Sequence, residues 1–241
     1  MDRPALVALA HGSRDPRSAV SIHHLAEEVR SQRWGLRVEV AFLELSEPAF
    51  DEVVDRLARQ GVRDLVVVPL LLTEAYHARV DLPAAVVRVT SRHPGLRVRP
   101  AGVLGTATSL LEVLDQRLGD ALGRADGLVL AAAGSSDDAA NEQVAGLARQ
   151  WGARHGLPAV AAFASTASPD PAEAVRRLHA EGRRRVAVGR LFLAPGTLAD
   201  RVAGQALDAG ALVVAEPLGA DPVVAGLVLE RFDAAVEEVA A

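Results

Sequence analysis

The chain has 241 residues, a length between one large domain and two small ones, and its composition, 50% hydrophobic and 24% charged, is that of a globular protein with a core of its own. Aromatic residues make up 3%, so that core has to be built from Val, Leu and Ala. A net charge of −5 without a basic, aromatic-interleaved stripe argues against nucleic acid, and the absence of Cys excludes disulfide frameworks, zinc ribbons, iron–sulfur clusters and thiol nucleophiles.

Short apolar runs alternate with amphipathic stretches along the whole chain. Residues 4–10, 36–43, 65–71 and 96–101 read as buried parallel strands, and residues 15–32, 47–60, 80–92 and 107–123 between them as helices. The alternation returns with strands at 128–132, 159–163, 185–193 and 212–215. Such succession predicts an α/β protein, with parallel sheets covered by helices on both faces.

The two halves also align with each other. AHGS at 10–13 stands against AAGS at 132–135, and SEPAFDEVVDRLARQGVRDLVV at 46–67 against ASPDPAEAVRRLHAEGRRRVAV at 167–188. LGTATSLLEVLDQR at 104–117 then meets LGADPVVAGLVLER at 218–231. Three blocks in one order indicate a duplication with its boundary near 124–127. The expected domains are therefore 1–124 and 125–241, each a flavodoxin- or Rossmann-like lobe.

Three residues of the first half could carry chemistry. His11 follows the first strand, Glu44 ends the second and His77 lies in the loop after the third, at intervals of 33 residues. With strand order 2-1-3 these positions converge on the crevice at the carboxyl ends of the strands, where open α/β sheets place ligands. Singly, each has a plainer role: a turn residue, a helix-capping carboxylate, a solvated loop residue. The second half serves as a control, because Ala133, Ser165 and Thr197 or Leu198 replace the three while the scaffold residues persist.

Two imidazoles and a carboxylate suit a borderline divalent ion such as Fe²⁺, Co²⁺, Ni²⁺ or Zn²⁺, in a set too small for a closed structural zinc site. An open, weakly held ion is what a transfer enzyme requires, and an imidazole beside it can accept a proton. Schiff-base and P-loop chemistry are excluded because all 26 basic residues other than His are Arg. The longest apolar run, 65–72, is broken by Pro69 and too short to span a bilayer. Neither signal peptide nor membrane segment is expected, and the expected location is cytoplasmic.

The motifs LVALAHGSRDP (6–16), VAFLELSEP (40–48), VVVPLLLTEAYHARVDLP (66–83) and GVLGT (102–106) resemble those of the class II tetrapyrrole chelatases, in the sirohydrochlorin chelatase group. The resemblance covers the whole chain, since double-length members consist of two related α/β lobes with the substrate in the cleft between them. It implies insertion of Fe²⁺ or Co²⁺ into sirohydrochlorin, toward siroheme or cobalamin, with no organic cofactor and with the metal as substrate; Ni²⁺ and Zn²⁺ fit the same donors. His11 and His77 would bind the metal, His11 would accept pyrrole protons, and Glu44 would stand near the incoming ion. Ser13, Arg14 and the amides at the following helix start suit the substrate carboxylates. Thr73, Glu74, Ala75 and Tyr76 would border the ring, with Tyr76 stacking on it. Ala75 departs from the Gly usual two residues before the second His, and the chain has no His-rich stretch or C-terminal cysteine motif. A duplicated chain can work as a monomer.

The remaining histidines read as scaffold: His23 and His24 within the first helix, and His93, His155 and His179 at helix ends. RHG at 154–156 spells a histidine-phosphatase motif but follows a helix rather than a strand. A carrier that binds tetrapyrrole or metal without turnover is the alternative from another class. A two-lobed solute-binding protein would need an export signal.

Overall fold

The computed structural model describes residues 4–73 and 81–237. Its first strand, β1 (Ala5–Ala10), is buried along its entire length, as its run ALVALA requires of a central parallel strand. The chain then turns into α1 (Pro16–Gln32), whose first turn is capped by Asp15 accepting from the Arg17 amide at 2.9 Å, with Pro16 at the opening position. It continues through β2 (Val38–Phe42), α2 (Phe50–Arg59), β3 (Asp64–Pro69), α3 (Leu82–Arg92) and β4 (Arg97–Pro100). These strands form one parallel sheet in the order β2-β1-β3-β4. One face of it carries Val7, Leu9, Leu65 and Val67 against Phe50, Val53 and Leu57 of α2 and Ala85 and Val89 of α3. Each such Val or Leu buried contributes roughly 1.5–3 kcal/mol, which lets a core almost free of aromatics hold.

The second half repeats the plan. It comprises α4 (Leu110–Leu118), a 3₁₀ turn at Gly119–Arg124, β5 (Gly127–Ala132), α5 (Asp138–His155), β6 (Ala159–Phe163), α6 (Pro171–Ala180), β7 (Val186–Arg190), α7 (Thr197–Asp208), β8 (Val213–Val214) and α8 (Pro222–Glu237). The second parallel sheet has the matching order β6-β5-β7-β8. The α/β class, the parallel sheets and the duplicated lobes are as the alternating runs predict. Boundaries shift by a few residues. The helix expected over 107–123 divides at Gly119, whose φ of 52° ends α4, and the one expected over 47–60 begins at Phe50 because 43–48 forms a turn.

The compact units differ from the contiguous lobes expected at 1–124 and 125–241. One unit is Met1–Gly105 with Ala220–Ala241, the other Thr106–Gly219. The repeats exchange their last helices: α8 packs on α1 and β3 in the first unit, and α4 packs on β7 in the second. Side chains fix the exchange. Arg231 of α8 donates to the carbonyls of Val103 and Leu104 at 2.8 and 3.0 Å, and Arg33 pairs with Asp233. In the second unit Arg117 of α4 donates to the Leu218 carbonyl at 2.9 Å, while Asp115 accepts from the Trp151 indole at 2.8 Å. Arg117 and Arg231 are the same position of the repeat, and each reaches the Leu-Gly turn of the other copy. Sequence alignment finds the repeat but not which copy a helix packs on.

Candidate active site

The register pairs Ala10 with Phe42 and Leu9 with Pro69, so the chain leaves β1, β2 and β3 at one edge of the first sheet. Strand-like pairing runs two residues further: Leu43 donates to the Ala10 carbonyl and Glu44 to the His11 carbonyl, both at 3.0 Å. The loop after β1 thus lies directly against the loop after β2. Gly12 makes this approach feasible. Its φ is 100°, and a methyl group there would stand 1.7 Å from the Glu44 carbonyl oxygen. On the other side Leu45 takes a φ of 61°, uncommon for a branched residue, and the Ser46 amide donates back to the Glu44 carbonyl at 2.8 Å.

This backbone brings two of the three residues singled out from sequence together. His11 Nε2 lies 3.0 Å from Glu44 Oε1, the imidazole side chain 32% and the carboxylate 57% exposed. The pair is open on one side to a ligand and backed by buried strand on the other. A half-exposed carboxylate beside an imidazole can hold a proton between them or offer one nitrogen and one oxygen donor to a cation. Glu44 is not a helix cap: α2 starts after Ala49 with no side-chain cap. His77, with Glu74, Ala75 and Tyr76, lies outside the described residues. Among the described residues no group of three or more His, Cys, Asp or Glu could hold a metal ion.

The other expectations divide. Thr73 is half-buried in the segment after β3. Arg14 is exposed, which leaves its guanidinium open to an anion. Ser13 is engaged in the loop itself: its hydroxyl accepts from the Asp15 amide at 3.1 Å and its amide donates to Ser46 Oγ at 3.0 Å. Of the scaffold histidines, His23 packs edge-on against Phe42 with ring centroids 6.1 Å apart. At the helix ends where the sequence places them, His93 bonds Asp55 at 2.7 Å and His155 bonds Asp115 at 2.9 Å. A cavity of about 850 Å³ opens at the opposite edge of the sheet, beside Ala5, Asp64 and Arg97 at the amino ends of the strands, away from the His11–Glu44 pair.

The second unit reproduces the backbone hydrogen bonds of the crevice. Ala164 and Ser165 donate to the carbonyls of Ala132 and Ala133 at 2.9 and 3.0 Å. Gly134 has a φ of 87° with its missing methyl 2.0 Å from the Ser165 carbonyl oxygen, and Thr166 repeats Leu45 with a φ of 59°. Both turns contain a cis proline, Pro48 and Pro169. The ionisable pair is missing, since Ala133 and Ser165 stand where His11 and Glu44 do. The His11–Glu44 pair is therefore an addition to a scaffold that folds without it.

The family model described as CbiX matches twice, over residues 5–121 and 127–235. The sirohydrochlorin ferrochelatase of Bacillus subtilis (strain 168) is 30% identical over 148 residues, covering 61% of this chain and 57% of that protein. This chain thus aligns with less than two thirds of that relative. The sirohydrochlorin cobaltochelatase of Priestia megaterium is 26% identical over 205 residues, 82% of this chain and 67% of that one. Among solved structures, SirB from Bacillus subtilis with Fe³⁺ superposes with a TM-score of 0.83 at 25% identity, over 96% of this chain and 95% of that one.

Proposed function

The chain belongs to the CbiX family, and from that premise we propose that it is a metal chelatase that inserts Fe²⁺ or Co²⁺ into sirohydrochlorin. The observation that carries the reading is the His11–Glu44 pair, 3.0 Å apart at the carboxyl end of β1 and absent from the second crevice, whose backbone hydrogen bonds match. Insertion exchanges one divalent ion for two pyrrole N–H protons, so the site must supply both a place for the ion and an acceptor for protons. An imidazole and a carboxylate serve both needs. Donors each about 2.1 Å from one metal ion lie about 3 Å apart when adjacent in its coordination shell, which is the spacing the pair already has. The ion would sit between them, and on its transfer to the ring His11 Nε2 and the Glu44 carboxylate would be free to accept the two pyrrole protons.

His77 completes this reading as a second imidazole ligand, and Glu74, Ala75 and Tyr76 as neighbours of the ring, on the resemblance of their motif alone. Exposed Arg14 suits a substrate carboxylate, whereas Ser13 supports the loop. Ni²⁺ and Zn²⁺ share the ligand preferences of Fe²⁺ and Co²⁺ and would also be accepted. The duplication lets one chain supply both lobes, so a monomer suffices. Among the described residues no helix is long and apolar enough to cross a membrane.

The test is anaerobic incubation of sirohydrochlorin with Fe²⁺, Co²⁺, Ni²⁺ or Zn²⁺, with and without protein, followed by absorbance. Acceleration over the protein-free rate with Fe²⁺ or Co²⁺ is expected, and the relative rates rank the ions. Pigment binding without acceleration by any ion would replace the chelatase with a carrier.

A further inference from the structure

The two crevices hold their first loop in different ways. In the first unit Ser46 Oγ accepts from the Ser13 amide at 3.0 Å and donates to the Ser13 carbonyl at 2.9 Å, gripping both polar groups of one peptide residue. In the second unit the equivalent Ser135 is gripped identically, its amide donating to Asn141 Oδ1 at 3.0 Å and its carbonyl accepting from Asn141 Nδ2 at 2.8 Å. Asn141 belongs to the first turn of α5, the helix that directly follows the loop. Ala167 stands at the place of Ser46 in the aligned blocks, and Ala19 at the place of Asn141 when α1 and α5 are matched on their N-caps, Asp15 and Asp137. The loop needs the grip in both units; what differs is the element that provides it.

That difference coincides with the ionisable pair. Where His11 and Glu44 are present, the grip comes from the segment that carries Glu44. The path is short: Glu44, the Ser46 amide bonded back to the Glu44 carbonyl at 2.8 Å, the Ser46 hydroxyl, then Ser13, two residues from His11. Where the pair is absent, the grip is local and ties the loop only to its own helix. We propose that Ser46 is a positioning residue that locks the His11 loop to the Glu44 loop and so fixes the spacing of the two metal donors. It touches neither ion nor ring. The proposal rests on the reading of His11 and Glu44 as metal donors.

The experiment uses the intact chain with Co²⁺ alone as probe, its visible absorption reporting the ligand field, alongside thermal unfolding and the insertion rate. Ser46→Ala is expected to weaken Co²⁺ binding about tenfold or more, as loss of groups that orient metal ligands does, and to change the absorption band. Ser46→Thr, which keeps the hydroxyl, should restore both to within about threefold. The decisive variant is Ser46→Ala with Ala19→Asn, which moves the grip to α1 as in the second unit. It should recover the melting temperature, and with it folding should the single variant fold poorly, but not the Co²⁺ affinity or band.

Wild-type Co²⁺ affinity in Ser46→Ala, or full recovery of affinity by the relocated grip, would overturn the proposal and leave Ser46 a structural residue. His11→Ala separates this from failure of the site reading. If the wild-type Co²⁺ signal does not depend on His11, the donor assignment falls and the positioning role falls with it. If it depends on His11 but not on Ser46, the positioning role alone falls.

Discussion

His11 and Glu44 are 33 residues apart in sequence and 3.0 Å apart in space, and Gly12 is what closes the gap. Replacing Gly12 by Ala places a methyl 1.7 Å from a backbone oxygen that is itself hydrogen-bonded, at a φ of 100° that L-residues avoid. Neither neighbour can yield, because both loops continue buried strands. Gly12→Ala is expected to cost about 3 kcal/mol or more, measured by chemical unfolding. Gly134→Ala should cost a similar amount without touching the donors. Spacing of one β–α unit was enough to bring His11 and Glu44 together on paper, because equivalent positions in successive parallel units share a sheet edge, and the structure has them 3.0 Å apart. Ser46 was not identified, although the alignment of Ser46 with Ala167 carried the signal. A serine hydroxyl has no preferred chemistry until its partners are known. Ser13 has a place in its own turn that its sequence position does not show: its hydroxyl accepts from the Asp15 amide and its amide donates to Ser46.

At the scale of elements, α2 and α3 cover one face of the first sheet and are joined by a charged cluster. Asp51 accepts from Arg88 at 2.9 and 3.0 Å and from Arg92 at 3.1 Å. The Arg88 hydrogen bonds hold the Asp51 carboxyl below the usual carboxylate range, with Arg92 adding to the effect against the opposing cost of partial burial. A native value lowered this way adds stability that is complete above the unfolded value near pH 4 and lost as the pH falls through the lowered native value. The melting-temperature gap between wild type and Asp51→Asn should therefore be constant from about pH 6 to 8 and shrink below about pH 4. An unchanged gap in acid would show that the cluster contributes through packing alone. The helices themselves were legible from their 3.6-residue pattern, whereas the strand order 2-1-3 was a condition of the site reading that the sheet meets. The helix ends were less legible: a glycine at φ 52° divides one expected helix, and a turn that serves the site delays the start of another.

For the whole molecule the duplication was legible and the pairing of its parts was not. The family model matches contiguous copies at 5–121 and 127–235, while the compact units trade α4 for α8. Both helices carry the same apolar pattern and an arginine at the same repeat position, Arg117 and Arg231, so nothing local distinguishes the copy on which each one packs. The duplication also gives the functional account its sharpest form. Two crevices share backbone, glycine, positive-φ residue and proline turn, and one of them carries an ionisable pair. The central claim is that this pair, rather than the crevice as such, performs the metal transfer.

The measurement that tests it most directly is the anaerobic insertion rate of Co²⁺ into sirohydrochlorin by wild type, His11→Ala and Ser165→Ala, with pigment binding followed in parallel. The account predicts that His11→Ala loses about a hundredfold or more in rate, the scale of a missing acid–base group, while still binding the pigment. Ser165→Ala, at the matching strand end of the second unit, should insert at the wild-type rate. A His11→Ala protein that inserts cobalt as fast as wild type would contradict the account.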